Sequence, residues 1–385
     1  MADTRGIAEL KVGGISYGGW KSMTAEGGIE QISGAFHLDV TDRWADQPEP
    51  RPIKRGASAQ LLLDGEPVIT GYVDETMTDF DERTHSLTVT GRDKTADLVD
   101  CSAIYGAGQW KGATLDRIAR DLIQPYGLAL TVQADVGAAF SSFNIQEGES
   151  VFATLDRAAR MRAVLLTSDF NGGLLITRAA NDPIETQLVL GENLKRLQIR
   201  QSWKERFSEY RVKGQGKGNA DVYGKALRGY ASTTDTVIDR HRPLIVLSEQ
   251  QTGQSFTLQQ RIDWERNVRI GRGTRATAEV QGWRHRDGLW RPNTLVSVRA
   301  DAAGIDEQLL IVKVSYSLTD TGGTIAELEL THPLAFALLS GTEGTKLNRA
   351  IRGRDGVETR RKNEVQQAKR RKRRKAAAPQ DLSQE

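Results

Sequence analysis

The sequence predicts an α+β, strand-rich protein in which two β modules of barrel or sandwich type flank a small mixed insert. Three observations carry that expectation. Apolar and polar residues alternate with a two-residue period near both ends of the first 340 positions. Between them, from about residue 106 to 185, the period lengthens to that of a helix. Glycine, at 38 residues against 10 prolines, is abundant enough for the tight turns that many short strands need. The order of strands, helix–strand units and strands again is that of an α+β chain.

The elements follow in order. Phe36, Leu38 and Val40 alternate with His37, Asp39 and Thr41 as one strand. Two extended runs in "ASAQLLLDGEPVITGYVDE" meet at Asp64-Gly65, a dipeptide that tolerates positive φ and signals a hairpin. "HSLTVTGRDK" adds a strand with Leu87 and Val89 on one face. The three prolines of "WADQPEPRPIKRG" forbid a regular ladder and predict a long loop. In the insert, Leu115, Ile118, Ala119, Leu122 and Ile123 recur at i, i+3, i+4, i+7 and i+8, one apolar helical face that Pro125 ends. "ATLDRIARDL" at 113–122 is echoed by "ATLDRAARMR" at 153–162, so two helix–strand units are expected, with Ser150 as N-cap of the second helix. Coincidence between two amphipathic helices is the other reading of that echo. Asn171-Gly172-Gly173 then turns into "LLITRA". Downstream, Leu310, Val312, Val314, Tyr316 and Leu318 alternate with Ile311, Lys313, Ser315 and Ser317. After Thr321-Gly322-Gly323, Ala326, Leu328 and Leu330 show the same period. The expected domains are residues 1–105, 106–185, 186–340 and 341–385.

The last of these stands apart in charge. From Lys346 to Glu385 there are 14 Lys or Arg against 5 Asp or Glu, a net +9. The chain as a whole carries only +3, so the other 345 residues carry −6. The run Lys369, Arg370, Arg371, Lys372, Arg373, Arg374, Lys375 has no apolar stripe, and its like charges at i, i+4 oppose a helix. It is expected to be a solvated, mobile arm. It serves either as a solubilising tail or as a contact for a polyanion such as DNA, or for an acidic protein surface.

Catalysis finds no foothold. The five histidines, His37, His85, His241, His285 and His332, lack metal-ligand spacing, and no GxSxG elbow is present. "KGQGKGN" at 213–219 fails the phosphate-loop spacing and reads as a flexible loop between strands. Asp74, Glu75, Asp79, Asp81 and Glu82 lack the ligand pattern of a calcium loop and read as the charged rim of a hairpin. Cys101 is the only cysteine, so no intramolecular disulfide is available. The N-terminus has no apolar leader and no stretch reaches the roughly 20 apolar residues of a spanning helix, which predicts no integral membrane association. No cofactor is expected.

Several strings together resemble the baseplate hub (P-type tail protein) family of Mu-like phages. They are "GGW" at 18–20, "IEQISGAFHLDVTDRW" at 29–44, "ITGYVDE" at 69–75 and "GRDKTADLVDCSA" at 91–103. Further on come "RPLIV" at 242–246, "WERNVRIGR" at 264–272, "VQGWRHRDGLWRPN" at 280–293 and "LLIVKVSYSL" at 309–318. The resemblance implies a non-enzymatic homotrimer similar to the hub of T-even phages. Its two strand-rich modules would be tail-tube-like β-barrels, so that three chains present six and join a sixfold tube to a threefold central spike. The implied partners are the tail tube and spike proteins, with wedge and tape-measure proteins beside them. The implied place is the virion baseplate, assembled in the host cytoplasm, with a part in genome ejection. Trp264, Arg266, Trp283, Arg284 and Trp290 are candidates for its subunit contacts; for the tryptophans, filling their own domain core is the alternative. Two rival functions remain at this point. One is a nucleic-acid-binding protein acting through the basic arm; the other is a cell-wall hydrolase of the tail tip.

Overall fold

The computed structural model describes residues 6–41, 53–80, 82, 85–162, 164–215, 228–249, 258–301 and 305–336. The proline loop at 48–52, the glycines at 216 and 218, and the whole basic arm from Lys369 to Lys375 lie outside them. The chain forms two compact units, one of Met1–Lys204 with Ile270–Phe336, the other containing Glu205–Arg269.

Seven strands come first: β1 (Ala8–Val12), β2 (Ile15–Tyr17), β3 (Ser22–Gly28), β4 (Ala35–Thr41), β5 (Ser58–Leu63), β6 (Glu66–Phe80) and β7 (His85–Asp93). The insert supplies α1 (Ala96–Asp100), β8 (Gln109–Trp110), α2 (Leu115–Ile123) and β9 (Leu130–Val132). It continues with β10 (Phe143–Asn144), α3 (Val151–Arg162), β11 (Leu165–Ser168) and β12 (Leu174–Thr177). Then follow β13 (Pro183–Val189), β14 (Leu194–Gln201), β15 (Glu209–Gln215), β16 (Arg228–Thr234), β17 (Pro243–Glu249) and α4 (Leu258–Arg272). The described chain closes with β18 (Thr274–Gln281), β19 (Arg284–His285), β20 (Gly288–Leu289), β21 (Thr294–Ala300), β22 (Ile305–Thr319) and β23 (Gly323–Thr331).

The first unit is built on one 13-stranded sheet. Its main path runs β14, β18, β23, β22, β3, β4, β7, β6, β5, β1, β2, and β21 with β13 branches from β22. Strands from both ends of the chain thus share a ladder, and the seam between them is β3 against β22, from Gly28↔Lys313 to Ser22↔Thr319. The 15-residue β22 divides its edge. Ile305–Ile311 pairs with β21 and Lys313–Thr319 with β3, and its register against β23 shifts between Ile311 and Lys313. Gly28 makes the change-over possible, because a Cβ there would lie 2.7 Å from the Val312 carbonyl oxygen. That carbonyl accepts the Ile29 amide at 2.8 Å.

The alternation seen in the sequence is the alternation of burial. Phe36, Leu38 and Val40 of β4, Leu87 and Val89 of β7, and Ala326, Leu328 and Leu330 of β23 all enter a single apolar cluster drawn from both strand-rich regions. Each fully buried leucine in it contributes roughly 1.5–3 kcal/mol. The Asp64-Gly65 turn has φ of 51° and 82° and joins β5 to β6 as expected.

The insert has its own core. The expected face of α2 is buried, and Val151, Leu155, Ala158 and Ala159 of α3 meet it together with Leu166, Leu174 and Ile176. Both helices lead into strands of one three-stranded sheet, β11, β12, β9. The Ser150 hydroxyl accepts the Ala153 amide at 3.2 Å and caps α3.

The sequence expects one strand-rich module over 186–340, whereas residues 205–269 form a unit with a separate apolar centre. There β15 pairs antiparallel with β16 and parallel with β17, and Tyr210 and Val212 bury one face against Ile262 of α4. Among the described residues no helix is long and apolar enough to cross a membrane.

Candidate functional site

Two of the singled-out strings converge on the places where the parts of the first unit are tied together. The first is "GRDKTADL" at the end of β7. Gly91 has no room for a side chain, since a Cβ would collide with the Tyr72 carbonyl and the Phe36 ring. Arg92 of β7 bridges β6 and α1, donating from Nε to Asp74 at 2.6 Å and from Nη2 to Asp100 at 2.8 Å. Those two carboxylates hold its guanidinium protonated well beyond the ordinary arginine range. Asp93 is only 2% exposed and accepts the Ser168 hydroxyl at 2.6 Å and the Thr95 amide at 3.3 Å. Burial pushes its pKa up to about 6, against the pull of those donors. The Thr95 hydroxyl donates to the Ile32 carbonyl at 2.9 Å, and Leu98 of α1 sinks into the insert core. β7 is thereby fastened to the helix–strand insert by hydrogen bonds to a buried carboxylate.

The second is "VQGWRHRDGLWRPN" at 280–293. Trp283 donates from Nε1 to the Ser317 carbonyl at 3.0 Å, and the Trp290 carbonyl accepts the Tyr316 hydroxyl. Burial raises the Tyr316 pKa. His285 lies 4.8 Å from the Trp290 ring, and burial lowers its pKa. Arg284 pairs with Glu66 at 2.6 Å. Arg291 donates to the Pro67 carbonyl at 2.9 Å and stands 4.4 Å over the Phe170 ring. Asn293, at φ 59°, donates to the Arg178 carbonyl and accepts the Ala180 amide. One short segment therefore grips β6, the β11–β12 hairpin and the chain leading to β13.

Of the five candidate contact residues, Trp283 and Trp290 are each 2% exposed within the apolar cluster, so their rings face the core and not a partner. The sequence could not choose between those readings because an indole serves both. Arg284 is partly exposed but engaged by Glu66. Trp264 and Arg266 belong to the second unit. There Arg261 lies over the Trp264 ring at 4.5 Å, and Arg266 donates to Thr233 Oγ1 at 3.1 Å. Arg92, Asp93, Thr95, Arg291 and Asn293 were all inside quoted strings, yet only tertiary partners reveal their work. Among the described residues no group of three or more His, Cys, Asp or Glu is placed to hold a metal ion.

The comparisons with known proteins agree with this architecture. Residues 7–93 match the model of the Mu phage baseplate assembly protein GpP-like N-terminal domain. Residues 95–178 match the second domain of baseplate hub protein gp44-like proteins, and 255–339 the fourth domain of GpP. The baseplate hub protein gp44 of Escherichia phage Mu is 36% identical over 336 residues, covering 83% of this chain and 86% of that one. The 43 kDa tail protein of prophage MuSo2 from Shewanella oneidensis superposes with a TM-score of 0.73 at 38% identity, covering 86% of this chain and 99% of that one. A tail protein from Neisseria meningitidis shares the fold, with a TM-score of 0.71 at 24% identity and the same coverage. With these family models and a relative 36% identical over most of both chains, the chain belongs to the Mu-type family of phage baseplate hub proteins.

Proposed function

We propose that the protein is the non-enzymatic hub of a contractile-tail baseplate, a homotrimer that joins a sixfold tail tube to a threefold central spike. In this reading each chain offers two tube-like β modules, so three chains present six. The tube protein docks on one side and the spike on the other, with wedge and tape-measure proteins around them. The trimer is assembled in the host cytoplasm, and the genome leaves through it. The observation that carries the reading is the β3–β22 seam, which unites strands from both ends of the chain in one antiparallel ladder. A seam of seven paired residues has no linker to swing on, so two modules in one chain act as a fixed pair. A symmetry adaptor needs such pairs and permanent interfaces, which bury on the order of 2,000 Å² or more.

Light scattering tests it. The expected mass is three times the 42.5 kDa chain, with a central opening in negative-stain images. A monomer at every concentration would overturn the trimer, and clearing of peptidoglycan by the pure protein would overturn the non-enzymatic part.

A further inference from the structure

We propose that copies of this chain join head to tail through two sheet edges, the second half of β6 in one copy and β14 in the next. The inference rests on the trimer reading and supplies its contact residues. Both edges are open among the described residues. The β5 ladder on β6 ends at Tyr72, so Asp74–Phe80 is paired only to β7. Over Arg196–Gln201, β14 is paired only to β18. Among the described residues each presents a row of unpaired backbone donors and acceptors, the usual template for another strand.

Direction and face both suit a head-to-tail repeat. Eight strands separate the edges inclusively, β6, β7, β4, β3, β22, β23, β18 and β14, and every neighbouring pair is antiparallel. With an even count the two outermost strands run in opposite directions. A repeated copy therefore sets its β14 antiparallel to the first copy's β6. The same face also carries through. A row of partners runs from Arg196 through Glu279, Glu327, Ser315, Glu26 and Ala35 to Arg92, all on the side away from the apolar cluster.

The chemistry on that side is complementary. Pairing with β7 puts Glu75, Met77 and Asp79 beside Thr90, Thr88 and Ser86, while Thr76 and Thr78 share the face of Val89 and Leu87. Pairing with β18 puts Arg196, Gln198 and Arg200 beside Glu279, Thr277 and Arg275, while Leu197 and Ile199 face the core. One edge thus reads acid, Met, acid and the other Arg, Gln, Arg, with the same period. Laid antiparallel, Glu75 stands opposite Arg200, Met77 opposite Gln198 and Asp79 opposite Arg196. Within the described strand, which ends at Phe80, a slip of two residues in either direction removes both acid–arginine pairs, so this register is favoured over its neighbours. Glu75, Asp79, Arg196 and Arg200 have no ion-pair partner among the described residues. Met77 is 59% exposed. A contact of this kind is heterologous and closes into a ring when the rotation permits.

The test uses the full chain with the exposed Cys101 replaced by serine and cysteines introduced as M77C and Q198C. Mild oxidation is expected to link chains into a species of three on a denaturing gel, with neither single-cysteine variant doing so. In parallel, E75R with D79R is expected to weaken association at least tenfold by sedimentation. Adding R196E and R200E should restore it, and circular dichroism checks that each variant is folded. A wild-type trimer that neither cross-links nor responds to the charge changes overturns this contact and leaves the trimer standing. A wild-type monomer overturns both. A cross-linked ladder running past three chains keeps the edge contact and overturns the trimer.

Discussion

Two buried carboxylates separate the two units. In the first, Asp93 is held by hydroxyl and amide donors, and among the described residues no cation pairs with it. In the second, Asp235 is 5% exposed and takes both ends of a guanidinium, Arg206 Nε at 2.9 Å and Nη2 at 3.0 Å. Among the described residues, the apolar centre of that unit has three buried side chains, Tyr210, Val212 and Ile262. The lesson concerns where each unit is vulnerable. The first is held by many interchangeable apolar contacts. The second leans on one pair whose members cannot be left alone in a dry interior.

The contrast can be broken or sharpened by experiment. Asp235→Ala strands the Arg206 charge and should cost about 3–5 kcal/mol, confined to the second unit. Native-state hydrogen exchange would show β15 amides losing protection while those of β22 keep theirs; equal loss in both would abolish the distinction. Asp93 responds to pH instead. Its folded pKa of about 6 lies above the unfolded value of about 3.9, so the folded state binds its proton more tightly. The group's contribution is complete below about pH 4, falls as pH rises to about 6 and is then flat, a loss on the order of 2–3 kcal/mol. Denaturation curves across that window should slope for the wild type and level out for Asp93→Asn. Removing the α3 cap with Ser150→Ala should cost about 1 kcal/mol. Arg286→Ala, which breaks an exposed pair with Glu185, should change stability by less than about 0.5 kcal/mol in thermal melts.

Local features were legible in the sequence and partnerships were not. The alternations in β4, β22 and β23, the Asp64-Gly65 turn, the α2 face and the Ser150 cap follow from neighbours within a few residues. No periodicity says that β3 pairs with β22 nearly 300 positions away. Nor does it show that β14, a charged strand in sequence, is an edge. The α4 helix was hidden for another reason. Its buried positions Ile262, Asn267 and Val268 include a polar residue, and arginines surround them, so "WERNVRIGR" shows no apolar stripe. Of the acidic cluster at 74–82, Asp74, Glu75 and Asp79 lie on β6 and Asp81 lies outside the described residues, and periodicity along one strand says nothing of what a second copy would set against it. Tryptophan placement was illegible in principle, since the Trp283 partner is a backbone carbonyl at Ser317.

The seam has a consequence for the order of birth of the molecule. β3 leaves a ribosome well before its partner on β22, which begins at Lys313. At synthesis rates of about 5–20 residues per second, roughly 15–60 s pass between the two. Throughout that interval the β3 edge is an uncapped template, and the nascent chain must be kept from pairing it with a stranger. Completion of the sheet is therefore a late event, timed by translation rather than by the speed of strand pairing.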